Sequence, residues 1–286
     1  MNVEYIRIYL LNLYNIKNFK NSLILFRVIQ MKIVFHERYY NSNYAMDPAA
    51  ASGRIESIMD VISTHPEYEI IKPEAATKED ILRAHTERHY NYVKNDALLY
   101  DLASLAAGGG ILAAEESYKG NPTFAVIRPP GHHASADSAW GFCYFNNISI
   151  SLLKLYTEGK IESAFVLDFD LHGGDGNINI LSHRTDDFKV KILNPRSNDN
   201  ESYIAEVENV MQNLEDIDIF TASAGFDQGI EDWGHLLYPE DYTTLGKLMK
   251  KYSKKLCGGR RYALLEGGYN HRVLGHNVES FIQGFK

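Results

Sequence analysis

Short apolar runs alternate with amphipathic segments from Met31 to the C-terminus, and this alternation constrains the fold more than any other sequence feature. Several runs are almost continuously apolar and rich in β-branched or aromatic residues, as expected of strands covered on both faces. The predicted strands are Lys32–Phe35, Thr123–Ile127, Ala164–Phe169, Phe188–Leu193, Ile217–Ala222 and Arg261–Leu265. The predicted helices are Arg54–Ser63, Lys78–His85, Arg88–Asn95, Leu102–Tyr118, Asn147–Tyr156, Glu201–Leu214, Pro239–Leu256 and Arg272–Phe285. This alternation predicts one α/β domain over residues 31–286, with a central mostly parallel β-sheet flanked by helices.

The composition of the 286-residue chain is that of a folded protein in a reducing environment. With 45% hydrophobic residues, a chain of this length buries a sizeable core without disulfide bonds. The two cysteines, Cys143 and Cys257, form no C-x-x-C pair, which predicts a cytoplasmic location and argues against a thiolate–zinc framework. The net charge of −8 argues against general nucleic-acid binding, because phosphate contacts need clustered Lys and Arg. The sequence carries no signal for an oligomeric state.

Residues 1–30 differ in composition from the rest of the chain. They are rich in Asn, Ile, Leu and Tyr, and basic residues interrupt every apolar run, so no stretch approaches the roughly 20 residues that span a bilayer. A secretory cleavage site is also missing from the segment. We interpret residues 1–30 as an extension outside the domain, and hypothesise that translation starts at Met31. The alternative is an amphipathic helix on a membrane surface.

Four segments rich in His, Asp and Gly each come directly after a predicted strand. They are Arg128–His133, Asp168–Asp175, Ser223–Asp227 and Glu266–Tyr269. In parallel α/β sheets the carboxyl ends of the strands form the ligand crevice. We therefore expect these segments to converge on one site.

The second segment has the spacing of a metal clip. Asp168, Asp170 and His172 alternate with apolar residues, so on an extended backbone the three polar side chains point to one side. Asp227, at the end of another strand, could supply a third ligand beside Asp170 and His172. Two carboxylates and one imidazole leave positions open for water and substrate, as catalytic zinc requires. The alternative is a capping aspartate with a surface histidine.

Two adjacent histidines, His132 and His133, follow a proline–glycine stretch that can form an irregular turn. Histidine is the usual general acid–base because its pKa lies near neutrality. Asp168 and Asp175 are available as carboxylate partners for the two rings. The alternative is a pair of solvated loop histidines.

Two aromatic residues are candidates for contacts with a substrate. Tyr269 follows a glycine turn, and its phenol could donate a hydrogen bond to the oxyanion of a tetrahedral intermediate. Phe142 could line a narrow apolar channel. Tyrosine and phenylalanine are more often packing residues, so a substrate contact is expected only if these two side chains lie at the site.

Together these segments resemble the histone deacetylase superfamily, which includes acetylpolyamine amidohydrolases and acetoin-utilisation-type proteins. R-P-P-G-H-H, G-F-C-Y-F-N-N, D-F-D-L-H-G-G-D-G, S-A-G-F-D and E-G-G-Y appear in family order between Met31 and the C-terminus. The resemblance implies an arginase/deacetylase-like fold. The implied zinc ligands are Asp170, His172 and Asp227. The implied acid–base histidines are His132 and His133, paired with Asp168 and Asp175 respectively.

The resemblance also implies how a substrate is held. Tyr269 matches the family's transition-state tyrosine, and Arg54 looks like an internal-channel arginine. The implied substrate-binding residues are Gly141, Phe142, Gly267 and Gly268. Similar proteins carry a monovalent cation such as K⁺ beside the zinc, held partly by Asp168.

Three departures from the family pattern concern the surroundings of the site. Gly173 stands where a second histidine usually follows the zinc histidine, and Asn177 stands where a small hydroxyl residue is common. The chain between Asp175 and Asp227 is short, and the aromatic-containing loop of many relatives is not evident near Asn194–Asn200. We therefore expect a more open site than in those relatives.

The resemblance implies zinc-dependent removal of an acetyl group from an N-acetylated amine, with release of acetate. The amine could be a protein lysine, a polyamine or a small metabolite. One alternative is a relative that binds acetylated ligands without cleaving them, against which the complete set of site residues argues. Another is an arginase-like ureohydrolase with two metals, which metal stoichiometry would distinguish.

Overall fold

A computed structural model describes residues 31–182 and 187–286. Within these ranges seven strands form one sheet in the order β2-β1-β3-β7-β6-β4-β5, and every neighbouring pair is parallel. The strands are β1 Lys32–Val34, β2 Glu69–Ile71, β3 Thr123–Ala125, β4 Ser163–Asp168, β5 Lys189–Leu193, β6 Ile219–Ala224 and β7 Arg261–Leu265. This arrangement confirms the predicted fold class, and the prediction for residues 1–30 lies outside the described residues.

Nine α-helices cover the sheet in the described part of the chain. They are α1 Arg54–Ile62, α2 Lys78–Leu82, α3 Glu87–Lys94, α4 Ala97–Tyr118, α5 Asn147–Thr157, α6 Asp175–Leu181, α7 Asn200–Gln212, α8 Pro239–Cys257 and α9 Leu274–Phe285. Every residue of β4, β6 and β7 is buried, because these central strands are covered on both faces.

Helix α4 is the central helix of the core. Its first turn is capped by the Asp96 carboxylate, which accepts hydrogen bonds from the backbone N–H groups of Leu98 and Leu99. By length and composition alone α4 could cross a membrane, but 72% of its apolar window is buried inside the fold. A helix that is apolar all round is expected in such a core.

The strand order brings the four polar segments together. Each follows one of the strands β3, β7, β6 and β4, which are neighbours in the sheet. The registers of β4, β6 and β7 place Asp168 beside Ser223 and Ala224 beside Leu265, so these three strands end nearly level. The loops that follow the strands therefore meet at one edge of the sheet.

Candidate active site

Asp170, His172 and Asp227 form a compact group of potential metal ligands. One ligand atom from each lies within 4.8 Å of the other two. His172 Nδ1 is 3.3 Å from Asp170 Oδ1 and 3.3 Å from Asp227 Oδ2. Both carboxylates are buried, whereas the histidine side chain is 42% exposed, so the group is open on one side. Asp227 Oδ2 is buried and, apart from the His172 ring at 3.3 Å, has no hydrogen-bond partner among the described residues, which is the environment a cation would complete.

The electrostatics of this group favour a cation. Hydrogen bonding to Asp170, and then to Asp227, raises the pKa of the His172 imidazole to about 10. Burial and the neighbouring Asp170 charge raise the pKa of Asp227 to about 6. Two close, buried carboxylates thus have a high affinity for positive charge, and in the metal-free protein a proton on His172 supplies it. A carboxylate–imidazole–carboxylate set fits a divalent metal such as zinc.

The tandem histidines reach the same site from the turn after β3. Each ring is buried, and the two ring centroids are 4.0 Å apart. His132 Nδ1 is 3.2 Å from Asp168 Oδ2, and His133 Nδ1 is 2.6 Å from Asp175 Oδ1. The structure therefore brings together the two predicted histidine–carboxylate pairs.

The two rings differ in their affinity for a proton. Burial lowers the pKa of His132, but Asp170 and Asp168 outweigh it and hold that pKa well above the ordinary value. Burial, followed by repulsion from His132, lowers the pKa of His133 to about 4. At neutral pH His132 therefore carries the charge, and His133 is neutral and able to accept a proton.

The turn after β7 fixes both the histidine segment and the potential metal ligand Asp170. The Glu266 carboxylate accepts hydrogen bonds from the backbone N–H groups of Gly131 at 2.7 Å and His132 at 3.2 Å. The Gly267 N–H donates to Asp170 Oδ2 at 2.8 Å. A Cβ atom on Gly267 would stand 2.5 Å from Asp170 Oδ2 and 2.6 Å from Asp227 Oδ2, so only glycine fits here.

Tyr269 follows this turn and lines the same pocket. The Asp232 carboxylate accepts hydrogen bonds from the backbone N–H groups of Tyr269 and Asn270, both at 2.7 Å. The Trp233 indole stacks on the Tyr269 ring with a centroid distance of 4.1 Å. The phenol makes no hydrogen bond to any residue in the described ranges, and is therefore available to a substrate.

Gly141 and Phe142 form the opposite wall of the pocket. Both have positive φ angles, 59° for Gly141 and 65° for Phe142. A bulky side chain rarely adopts such a backbone conformation, and strain of this kind is concentrated at functional sites. The Phe142 ring meets Tyr269 edge-on, with a centroid distance of 5.9 Å.

Trp140, at the rim of the pocket, contacts both members of one histidine pair. Its indole lies 3.9 Å from the His133 ring, and its Nε1–H donates to Asp175 Oδ2 at 2.9 Å. The other oxygen of the Asp175 carboxylate, Oδ1, faces His133. Trp140 therefore covers one face of the histidine and orients its carboxylate.

These groups surround a pocket of about 280 Å³. Its walls are mostly apolar and are formed by Pro130, His132, His133, Trp140, Gly141, Phe142, His172, Trp233, Gly267 and Tyr269. Of the predicted substrate-binding residues, Gly141, Phe142 and Gly267 line the pocket. Gly268 lies behind it, with its carbonyl accepting a hydrogen bond from buried Arg54.

The residues that departed from the family pattern have definite places. Asn177 donates to Ser223 Oγ at 2.9 Å and to Asp168 Oδ2 at 3.4 Å, and so links the ends of β4 and β6. Gly173 borders a second cavity of about 440 Å³, which also contacts the 194–198 loop. This cavity lies beside the loop in which the aromatic residue of many relatives is not evident.

Sequence reasoning missed three residues that shape the site, Trp140, Trp233 and Glu266. Both tryptophans lie on loops, and each packs against a predicted catalytic side chain. Of these three residues, only Glu266 had a sequence signal, because it begins the E-G-G-Y motif. Its hydrogen bonds to the histidine segment could not be predicted from the sequence.

Comparison with known proteins agrees with this geometry. A family model described as the histone deacetylase domain matches residues 96–194. A probable deacetylase from Archaeoglobus fulgidus is 27% identical, with 83% of this chain and 81% of that protein aligned. A probable deacetylase from Methanothermobacter thermautotrophicus is 32% identical over 56% of this chain and 53% of its own length. Histone deacetylase 14, chloroplastic, from Arabidopsis thaliana is 30% identical over 64% of this chain and 51% of its own length.

The chain thus spans about half the length of the second and third of these relatives. A crystal structure of the HDA15 HD domain superposes with a TM-score of 0.78 at 22% identity, covering 90% of this chain and 89% of that one. The structural likeness establishes the fold. Together with the matched domain and the curated relatives, it supports the predicted resemblance of this chain to the histone deacetylase superfamily.

Proposed function

We propose that the protein is a zinc-dependent deacetylase that hydrolyses the acetyl–nitrogen amide bond of an N-acetylated amine. The observation that carries the proposal is the group of three ligand atoms within 4.8 Å, which faces the histidine pair and Tyr269 across one pocket. The deacetylase and amidohydrolase names of the relatives support the same chemistry.

Asp170, His172 and Asp227 would hold the metal. When bound, zinc would polarise the acetyl carbonyl and acidify a water molecule. His133 is neutral at pH 7 and its Nδ1 is engaged by Asp175, so its Nε2 is free to take a proton from the attacking water. His132, held between Asp168 and Asp170, keeps its positive charge and stabilises the negative charge that develops nearby.

Tyr269 and the histidines complete the reaction. Burial, and then the charge of Asp170, raises the pKa of the Tyr269 phenol, so it stays protonated and can donate a hydrogen bond to the developing oxyanion. The proton taken by His133 passes to the amine nitrogen as the carbon–nitrogen bond breaks. The second proton of the water, released when the new carboxylic acid ionises, also ends on the nitrogen, so the products are acetate and the protonated amine and both atoms and charge balance.

Two further assignments belong to this proposal. A monovalent cation such as K⁺ would lie beside Asp168, whose backbone carbonyl already accepts a hydrogen bond from Asn194 at 3.4 Å. We also propose a cytoplasmic location, supported by the two free, buried cysteines.

A panel of acetylated amines tests the proposal directly. Zinc-loaded protein should release acetate from at least one of an acetyl-lysine peptide, free acetyl-lysine and an acetylpolyamine, and a hydroxamate chelator should block the release. Metal content is measured on the same sample. A fully loaded protein that releases no acetate from any of them would instead be a binding relative.

The potential metal-ligating side chains do not favour the alternative of a ureohydrolase with two metals. Arginase-like chemistry needs aspartates around a second metal. In residues 31–182 and 187–286 the other group of possible ligands is His132, Cys143 and Glu266, which contains no aspartate. A stoichiometry of one catalytic metal per chain is therefore expected.

A further inference from the structure

A second cavity of about 440 Å³ is lined in part by residues that directly follow pocket residues in the chain. Successive residues of two loops line the two spaces, since His172 and Trp233 border the pocket while Gly173 and Gly234 border the cavity. The cavity is open to solvent at the 194–198 loop. A substrate whose acetyl group occupies the pocket could therefore extend its amine portion into this space.

The Arg196 side chain brings a positive charge to the cavity. Its Nη2 is 3.6 Å from the position that a Cβ atom would take on Gly173. In the ranges that the structure describes, no hydrogen bond or ion pair engages the guanidinium. The loop itself is anchored, because the Arg196 backbone N–H and the Ser197 hydroxyl donate to Glu206 on α7 at 3.2 Å and 2.9 Å. The backbone of the loop is therefore held in place, while the guanidinium is unpaired within residues 31–182 and 187–286.

The other polar groups around the cavity are neutral, with one exception. Asn194, Ser197, Asn198 and Gln228 contribute amides and a hydroxyl. The exception is Asp170, whose carboxylate is buried and faces the metal-ligand group rather than open space. A guanidinium with five N–H donors and neutral polar neighbours matches the geometry of a carboxylate, which arginine binds through two parallel hydrogen bonds.

We infer that this cavity is a substrate subsite in which Arg196 binds a carboxylate on the amine portion of the acetylated substrate. The inference rests on the proposed function and narrows its substrate class to N-acetylated amino acids or similar carboxylate-bearing amines. Acetylated polyamines, which are cationic, would be repelled by the unpaired guanidinium.

A matched pair of substrates tests the subsite. Nα-formyl-Nε-acetyl-lysine and its C-terminal carboxamide have the same shape and differ by one negative charge. Wild-type protein should prefer the carboxylate by about fivefold in kcat/KM, the size expected of one well-formed but exposed ion pair. The preference should shrink as salt rises from 0.05 to 0.5 M, since screening weakens exposed pairs.

Two variants separate the subsite from general charge effects. Arg196→Gln should abolish the preference while leaving kcat/KM for the carboxamide within about twofold, because an exposed surface substitution otherwise has a small effect. Lys191→Gln removes the same charge from β5 without touching the cavity, and should keep the preference. Equal preference in wild type and Arg196→Gln overturns the inference, as does faster cleavage of acetylspermidine than of the carboxylate.

A binding measurement keeps the subsite distinct from the proposed function. Trp140 and Trp233 are the two tryptophans of the chain, and both line the pocket. Their fluorescence reports binding of the same two compounds even without turnover. If no compound is cleaved but the carboxylate still binds more tightly through Arg196, the subsite stands and the deacetylase proposal fails. If both compounds are cleaved and both bind equally well, the deacetylase proposal stands and the subsite fails.

Discussion

The Tyr269 phenol has a raised pKa and its hydroxyl has no hydrogen-bond partner among the described residues, so it is available as a hydrogen-bond donor. Tyr269→Phe removes that donor and keeps the stack on Trp233. Loss of one oxyanion donor typically costs on the order of a hundredfold or more in kcat. We therefore expect acetate release to fall by about that factor, while bound zinc, measured by atomic emission, is unchanged. A variant that keeps most of its activity would remove Tyr269 from the mechanism.

Trp140 is expected to act through His133 as a positioning residue. Trp140→Phe keeps an aromatic ring over the histidine and removes the hydrogen bond to Asp175. One such hydrogen bond is worth about 1 kcal/mol, so kcat should fall about fivefold. The acidic limb of the pH–rate profile should also move, because Asp175 orients the His133 imidazole. Trp233→Phe is the matched control and should leave that limb in place; an identical shift in both variants would contradict the role.

At the scale of residues, the sequence predicted the polar side chains that meet at the proposed site and missed those that support them. His132, His133, Asp170 and His172 stand out because such residues are unusual after apolar strands. Trp140 is an ordinary aromatic residue in a loop, and its contact with Asp175 exists only after the fold brings two distant segments together.

At the scale of elements, the sequence predicted the buried strands and missed the short, partly exposed elements. Strand β2 (Glu69–Ile71) has three half-exposed or exposed residues at the sheet edge, too few for a periodic signal. Helix α6 (Asp175–Leu181) begins inside the glycine-rich motif and contains two asparagines, which are weak helix formers. The predicted helix Leu102–Tyr118 begins instead at Ala97, where Asp96 caps it.

The turn after β7 provides a test of how closely these elements meet. Gly267→Ala would place a methyl group 2.5 Å from Asp170 Oδ2 and 2.6 Å from Asp227 Oδ2. The two ligands must then move apart, so we expect zinc affinity to fall by at least tenfold, the lower end of what altered ligand support costs. Metal titration with a chromophoric chelator measures this.

Gly173→Ala is the matched control for that variant. Gly173 directly follows His172, has no positive φ angle, and its Cβ atom would meet Asn194 Oδ1 at an ordinary 3.4 Å. Zinc affinity should therefore be close to that of wild type. Equal losses of zinc affinity in the two variants would mean that an added methyl group weakens metal binding at either position. The close contact at Gly267 would then not be the cause.

At the scale of the whole molecule, we propose that the folded unit starts with β1. Met31 is buried, its carbonyl accepts a hydrogen bond from the Glu69 N–H at 3.0 Å, and the Lys32 N–H donates to Pro122 at 2.9 Å. A chain that starts at Met31 should therefore melt within about 2 °C of the full chain and bind the same amount of zinc, since about 1 kcal/mol shifts Tm by 2–4 °C at this size. A markedly lower Tm would show that residues 1–30 contribute to the fold.

Metal binding should couple the stability of the whole molecule to pH, because the proposed ligands lie in the loops that follow β4 and β6 and contact the turn after β7. In the metal-free protein the pKa of His172 is about 10, so zinc must displace about one proton per site at pH 7–9. Zinc affinity should then rise about tenfold per pH unit in this range, and more steeply below pH 6, where Asp227 is also protonated.

The stability of the two forms should diverge as pH rises. The raised pKa of His172 stabilises the metal-free protein fully below the ordinary histidine pKa, and this contribution is lost as pH rises towards 10. The zinc-loaded form gains over the same range, because a ligand present at 100 times its Kd adds about 2.7 kcal/mol. The difference in Tm between zinc-loaded and EDTA-treated protein should therefore be larger at pH 9 than at pH 6.5, by calorimetry. Tyr269→Phe should show the same pH dependence of this Tm difference as wild type, since the tyrosine is not among the proposed metal ligands. A Tm difference that is constant with pH would mean that zinc does not bind through His172.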